Sequence, residues 1–243
     1  MKLNTRSAAF AETGYCLFPN VLNADEIAAR QHALDVATRA GFCKQPSYYG
    51  EPHTTEVLWL ETCTHPKLLD AVESVLGPNL ILVYSSMFIK VPHDDQTVCW
   101  HQDNTYWESV HGTDVVTVWL AIDDVDKDNA PMQVIPGSHI GYQQMETHKA
   151  GEKEFLSAKV DVTPEQEASA VSLTMKAGSL SIHDSHLIHG GGMNTSDRRR
   201  AGYTIRFCST DTAWVDLETH PIPVYLVRGE RGSRGDGYVD LRP

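Results

Sequence analysis

From Leu80 onward the sequence is a series of short β-patterned segments, and this feature limits the possible folds more than any other. Turn residues such as Pro136-Gly137 separate the segments. So many short strands predict an antiparallel sandwich or barrel, closed as a jelly roll. Seven runs rich in β-branched and aromatic residues carry the pattern: 80–91, 97–100, 115–122, 132–135, 171–175, 179–182 and 203–208.

Two helices are predicted before the strands. Asn23 and Glu26 have the spacing of a capping box, and apolar residues then recur at helical spacing until Gly41. A second helix is expected to begin at Pro66 and to end before Gly77-Pro78. We therefore expect one domain over 1–243, with mostly helical support in 1–79, the β core in 80–210 and a C-terminal strand and tail in 211–243.

Composition and charge exclude several classes of partner. No apolar run approaches the ~18 residues of a membrane span, and the polar first residues lack the features of a secretory signal. A net charge of −12 repels nucleic acid and anionic lipid surfaces. The five scattered cysteines do not suggest a disulfide framework. We expect a cytoplasmic protein with a small-molecule substrate and neither a nucleic acid nor a membrane partner; its oligomeric state stays open.

Three residues have the chemistry of a metal site. His101 and Asp103 stand two apart at a strand end, so their side chains can share one face. Alone, this pair is better explained by a histidine that a carboxylate orients on a solvated surface. His189 follows another β run and precedes Gly190-Gly191-Gly192, where the backbone can approach a ligand closely. Two histidines and one carboxylate with open positions are the ligand set of non-haem Fe(II) oxygenases.

A cation for a cosubstrate lies downstream of these residues. 2-Oxoglutarate, a two-electron donor for such iron sites, requires a positive charge for its distal carboxylate. Arg200 lies eleven residues after His189 and just before a predicted strand, from where its planar guanidinium could reach the same cavity. The run Arg198-Arg199-Arg200 is equally typical of a solvated face, so spacing alone leaves both interpretations open.

Taken together, the motifs between Leu80 and Cys208 follow one order: Met87-Phe-Ile-Lys-Val-Pro92, His101-Gln102-Asp103, Trp119, Asn129-Ala-Pro-Met-Gln-Val-Ile-Pro-Gly-Ser-His139, His189-Gly-Gly-Gly-Met-Asn194 and Arg200. This order resembles the phytanoyl-CoA dioxygenase (PhyH) family of Fe(II)- and 2-oxoglutarate-dependent oxygenases. The resemblance implies a mainly β fold, the double-stranded β-helix (jelly roll, cupin-like) backed by N-terminal α-helices.

The same resemblance implies roles for individual residues. The expected iron ligands are His101, Asp103 and His189, and Arg200 is the expected partner of the distal carboxylate of 2-oxoglutarate. Trp119 and Met87 match positions that line the cosubstrate pocket. The implied cofactors are Fe(II), 2-oxoglutarate and O2.

One position departs from the family pattern. Some relatives carry a Ser two residues after the second histidine, where this chain has Gly191, so Thr117 or Thr204 are candidates to supply the missing hydrogen bond. Asp103 is the carboxylate that halogenating relatives have lost, and its presence favours hydroxylation or a related oxidation.

The resulting hypothesis is a dioxygenase that oxidises an unactivated C–H bond of a small metabolite and releases succinate and CO2. Two alternatives remain, a non-catalytic cupin-like binding protein and a metal oxygenase that needs no keto acid. Amino acids, phosphonates, natural-product intermediates and acyl-CoA esters stay open as substrates, as do desaturation and cyclisation as outcomes.

Overall fold

The computed structural model describes residues 8–42 and 48–242. Within them the helices are Ala8–Thr13 (α1), Ala24–Arg39 (α2), Val57–Cys63 (α3), Pro66–Leu76 (α4) and Pro164–Ala168 (α5), with 3-10 turns at Pro52–Thr54 and Asp103–Tyr106. None of these helices is long and apolar enough to cross a bilayer.

The strands follow in the same described part of the chain. They are Tyr15–Phe18 (β1), Tyr48–Gly50 (β2), Leu80–Lys90 (β3), Val98–His101 (β4), Val110–His111 (β5), Val115–Ala121 (β6), Met132–Val134 (β7), Thr147–Lys149 (β8), Ala158–Val160 (β9), Val171–Leu173 (β10), Leu180–Asp184 (β11), His189–Gly191 (β12), Arg200–Ser209 (β13), Trp214–Val215 (β14), Tyr225–Arg228 (β15) and Val239–Asp240 (β16).

Two sheets form the body of the fold. The major sheet has the order β1-β11-β6-β13-β3-β15-β16, with β2 added to β3, and the minor sheet has the order β10-β7-β12-β4. Within the major sheet only the β15–β16 pair is parallel. The strand β13 lies between β6 and β3, and all ten of its residues are buried.

The helices cover one face of the major sheet, because strand residues alternate between its two faces. Leu68 and Val72 of α4 pack in one core with Tyr203 and Ile205 of β13. The intervening Thr204 lines a cavity on the opposite face. The largest hydrophobic cluster therefore lies between helices and sheet, and the cavity lies on the other face of the sheet.

Most expected elements are present with small shifts of their ends. The helix α2 begins at the predicted capping box, in which the Asn23 side chain accepts from the Glu26 backbone and the Glu26 side chain accepts from Asn23. The segment 141–167, which lies between the predicted strands 132–135 and 171–175, contains the hairpin β8–β9 and the first residues of α5. Cys43 lies outside the described residues.

Candidate metal centre and cavity

The minor sheet brings the three predicted metal ligands together. β4 ends at His101, a 3-10 turn begins at Asp103, and β12 begins at His189 directly opposite His101. One ligand atom from each side chain lies within 4.8 Å of the others. The Asp103 Oδ1 atom is 3.8 Å from His101 Nε2 and 3.7 Å from His189 Nε2. The three side chains converge on one point, as a shared cation requires.

Backbone carbonyls hold both imidazoles in the form that binds metals. His101 Nδ1 lies 2.8 Å from the Cys99 carbonyl oxygen, and His189 Nδ1 lies 2.9 Å from that of Leu187. Because a carbonyl only accepts, Nδ1 carries the proton and Nε2 keeps its lone pair. Burial lowers the pKa of His101, and burial together with the nearby imidazole of His101 holds the pKa of His189 well below its ordinary value. Both rings are therefore neutral ligands at neutral pH.

The Asp103 carboxylate is fixed through its second oxygen. Thr117 donates a hydrogen bond to Oδ2, and His183 Nε2 lies 3.3 Å from the same atom. Burial alone would raise the pKa of Asp103, but the contact with His183 and the nearby side chains of His189 and Arg206 hold it well below its ordinary value. Oδ1 is thus left to face the two imidazoles as part of an ionised carboxylate.

A cavity of about 950 Å³ opens beside these ligands. His101, Asp103 and His189 line it on the side of the minor sheet, and Trp119 and Arg200 line it on the side of the major sheet. Its volume is near the upper end of the ~300–1,000 Å³ of small-molecule sites. The cavity can hold two small molecules side by side next to the ligand cluster.

Arg200 is a buried cation whose guanidinium makes no hydrogen bond or ion pair with the described residues. Its side chain is 5% exposed, its Nε has no hydrogen-bond partner, and its Cζ lies 5.5 Å from the centre of the Trp119 ring. Burial lowers the pKa of Arg200 to about 10, which still leaves it charged at neutral pH. Its neighbour Arg199 differs, since it pairs bidentately with Asp123 outside the cavity. An unpaired buried charge of this kind needs an anion.

Met87 does not line the cavity, contrary to the expectation from the family pattern. It is fully buried in the core between helices and major sheet. Its neighbours Ser86 and Phe88 line the cavity instead, because successive residues of β3 point to opposite faces. Trp119, the other residue expected there, does line the cavity.

The two threonines proposed to replace the missing serine are engaged elsewhere. Thr117 donates to Asp103, and Thr204 donates to the Ser86 carbonyl oxygen at 2.8 Å. Each hydroxyl has one proton, so neither is free to donate to a cosubstrate in this arrangement.

Sequence reasoning gave no role to three residues around the cluster. His183 comes from β11 in the other sheet, and no spacing rule relates it to Asp103. Gln102, which lies between the candidate ligands His101 and Asp103, is hydrogen-bonded to the segment before β8. Its Nε2 donates to the Gln143 carbonyl oxygen at 3.1 Å, and its Oε1 accepts from the Met145 backbone N–H at 2.9 Å. Arg206 did leave a signal, since it lies an even number of residues after Arg200 on the same strand.

Gly202 should be required for the packing of Trp119. A Cβ at this position would lie 2.0 Å from Trp119 Cζ2. We expect Gly202→Ala to lower the free energy of unfolding by ~1–3 kcal/mol through overpacking, measured by chemical denaturation. Gly192→Ala is the matched control, because a Cβ there would meet nothing within 4 Å. Equal stability of Gly202→Ala and the parent would contradict this account of the packing.

Comparison with curated proteins identifies related sequences. A model of the phytanoyl-CoA dioxygenase (PhyH) family matches residues 10–202. Peroxisomal phytanoyl-CoA dioxygenase of Bos taurus is 26% identical over 162 residues, which are 64% of this chain and 48% of that protein. L-proline trans-4-hydroxylase of Streptomyces griseoviridis is 29% identical over 181 residues, covering 67% of this chain and 66% of that one. The chain spans about half the length of the mammalian dioxygenases it matches.

Solved structures share the fold. The apo form of the non-heme monooxygenase ThoJ superposes with a TM-score of 0.78 at 24% identity and covers 97% of this chain and 87% of its own. EctD from S. alaskensis, solved with 2-oxoglutarate and 5-hydroxyectoine, has a TM-score of 0.70 at 19% identity over 100% of this chain and 88% of its own. The predicted double-stranded β-helix is thereby confirmed. Since the family model matches residues 10–202, the chain belongs to the phytanoyl-CoA dioxygenase family.

Proposed function

We propose that the chain is an Fe(II)- and 2-oxoglutarate-dependent dioxygenase that hydroxylates, or otherwise oxidises, an unactivated C–H bond of a small molecule. One observation carries the proposal: the cluster of His101, Asp103 and His189 opens on the same cavity as the unpaired cation Arg200. A metal and a dicarboxylate bound side by side would satisfy both. The cytoplasmic location expected from the sequence stays a prediction.

The residues fit ferrous iron by their donor chemistry. Two neutral imidazoles with free Nε2 atoms and one ionised carboxylate form a 2-His-1-carboxylate set that leaves other coordination positions open. When bound, iron and 2-oxoglutarate supply the oxidising chemistry with O2, and succinate and CO2 are the coproducts.

The remaining residues bind, orient and exclude water. Arg200 would form a charge-assisted contact with the distal carboxylate of 2-oxoglutarate, and the Trp119 ring holds the guanidinium in place. Thr117 and His183 keep the second Asp103 oxygen occupied, so that the carboxylate cannot rotate freely. Aromatic side chains such as Tyr106 line the cavity and reduce its water content.

The names of several relatives support a small-molecule substrate. L-proline trans-4-hydroxylase and a probable alpha-ketoglutarate-dependent hypophosphite dioxygenase of Stutzerimonas stutzeri, 28% identical over 152 residues, both carry names of small substrates. We therefore expect a small molecule as the substrate of this chain.

Conversion of 2-oxoglutarate to succinate should be measurable before the substrate is known. Protein with Fe(II), O2 and 2-oxoglutarate is expected to form succinate slowly, and Asp103→Ala is expected to form none above background. Asp161→Ala is the matched control, because its side chain is 80% exposed and does not line the cavity.

Two outcomes of this assay would favour the alternatives. A non-catalytic binding protein would form no succinate in an iron-loaded preparation, even with a broad panel of metabolites. A keto-acid-independent oxygenase would consume O2 without succinate.

A further inference from the structure

The cavity contains a second buried arginine to which the proposed function gives no role. Arg206 lies six residues after Arg200 on β13, lines the same cavity and is 6% exposed. Because residues two apart share a face of a strand, Arg200 and Arg206 project from one wall. The two guanidinium groups thus stand along the same side of the cavity.

Arg206 is held rigidly but is not neutralised. Its Nη1 donates to Ser86 Oγ at 2.8 Å and also to Thr204. Its Cζ lies 5.6 Å from the centre of the Tyr84 ring and 5.7 Å from that of Trp107. Two aromatic rings and two hydroxyl groups thus fix the orientation of the Arg206 guanidinium, and such preorganisation favours binding of an anion.

No carboxylate pairs with this guanidinium among the described residues. Its Nε has no hydrogen-bond partner, and the described side chains offer none to its Nη2. Arg206 and the candidate metal ligand Asp103 line the same cavity. Asp103 is turned toward the two imidazoles, which leaves the cation without a partner of its own. An anion bound by Arg206 would therefore sit beside the candidate metal centre.

We propose that Arg206 binds a carboxylate group of the substrate. This inference rests on the proposed function. That function assigns Arg200 to 2-oxoglutarate, which leaves Arg206 as the cation for the substrate. A monoanion matches one guanidinium, whereas a dianionic phosphate would bring excess negative charge into a cavity that Glu51 and Glu108 also line.

The rest of the wall indicates the body of this substrate. Tyr48, Phe88 and Phe155 line the cavity and contact one another, with ring centres 5.3 Å apart for Tyr48–Phe88 and Phe88–Phe155 and 6.1 Å apart for Tyr48–Phe155. Aromatic walls favour apolar or aromatic ligands. With about 950 Å³ available, the structure assigns a carboxylic acid with an aromatic or alicyclic body.

The test compares three probes with one naphthalene body: 2-naphthoate, its neutral amide 2-naphthamide, and 2-naphthyl phosphate. Calorimetric titrations are made without O2 on protein that holds Fe(II) and saturating 2-oxoglutarate, so that Arg200 is occupied and no turnover occurs. Binding of Fe(II) and 2-oxoglutarate is measured first in the same cell. Failure of that step would overturn the proposed function, whereas a failed probe comparison after it would overturn only the role of Arg206.

The parent protein is expected to bind 2-naphthoate about tenfold or more tightly than 2-naphthamide. Arg206→Met should remove this preference while 2-oxoglutarate still binds, and Arg206→Lys should restore part of it. The matched control is Arg231→Met, since Arg231 is 56% exposed and does not line the cavity. A purely structural role of Arg206 would lower the binding of acid and amide alike.

Three results would overturn the proposal. The parent protein could bind acid and amide equally, the preference could persist in Arg206→Met, or 2-naphthyl phosphate could bind more tightly than 2-naphthoate. The comparison of probes on the parent protein decides the question even if Arg206→Met does not fold.

Discussion

Replacement of His189 by Ala is expected to abolish stoichiometric Fe(II) binding in anaerobic calorimetry. Loss of a residue that only orients a metal ligand already costs about 10- to 100-fold in affinity. Loss of the ligand itself should therefore cost more than about 100-fold. His101→Ala and Asp103→Ala should have the same effect, because the three ligand atoms lie within 4.8 Å of one another around one point.

His186→Ala is the matched control for this experiment. His186 lies three residues before His189 and is also buried, but its Nε2 lies 3.0 Å from Asn104 Nδ2 and the residue does not line the cavity. Its removal should leave Fe(II) binding unchanged. Iron binding by His189→Ala as tight as that of the parent protein would show that the third ligand is assigned wrongly.

Arg200→Met is expected to weaken the binding of 2-oxoglutarate by about 30- to 4,000-fold. Truncation of one partner of a buried, hydrogen-bonded charge pair costs ~2–5 kcal/mol, which converts to this range. Arg200 is 5% exposed, and no acidic side chain among residues 8–42 and 48–242 forms an ion pair with it that could compensate. Calorimetric titration of 2-oxoglutarate into the Fe(II)-loaded variant measures the loss, and Fe(II) affinity should stay near that of the parent.

Arg199→Ala separates this effect from a general loss of positive charge. Its guanidinium pairs with Asp123 at 2.8 and 2.9 Å and with Asp35 at 2.5 Å, and it does not line the cavity. We expect Arg199→Ala to lower the free energy of unfolding and to leave 2-oxoglutarate affinity unchanged. Equal losses of 2-oxoglutarate affinity in Arg200→Met and Arg199→Ala would show that the family motif does not identify Arg200 as the cosubstrate residue.

The fold was predictable where local patterns are strong. The capping box and apolar spacing of α2, and the long β-branched run that becomes β3, carry clear periodic signals. β1 was missed because its four residues are all partly exposed and lie between two helices. The hairpin β8–β9 was missed because its first strand is fully exposed and has no apolar alternation.

The site was predictable only as far as periodicity and family motifs reach. Strand alternation predicted that His101 and Asp103 lie together. For β3, alternation divides the residues between two faces but does not tell which face lines the cavity. A shift of one residue exchanges Met87 for Ser86 or Phe88, since the side-chain period is two. The contact of His183 with Asp103 joins a strand of the major sheet to the turn that follows β4 of the minor sheet, and only the folded chain reveals it.

The candidate metal ligands and the cationic residues of the cavity come from different sheets. The candidate metal ligands come from β4, the turn after it and β12 on the side of the minor sheet, whereas Arg200 and Arg206 come from β13 in the major sheet. Under the role proposed for Arg206, a substitution at this position changes which substrate is recognised and leaves Arg200 in place for 2-oxoglutarate. Substrate preference and cosubstrate binding would then depend on two residues of one strand that can be exchanged separately.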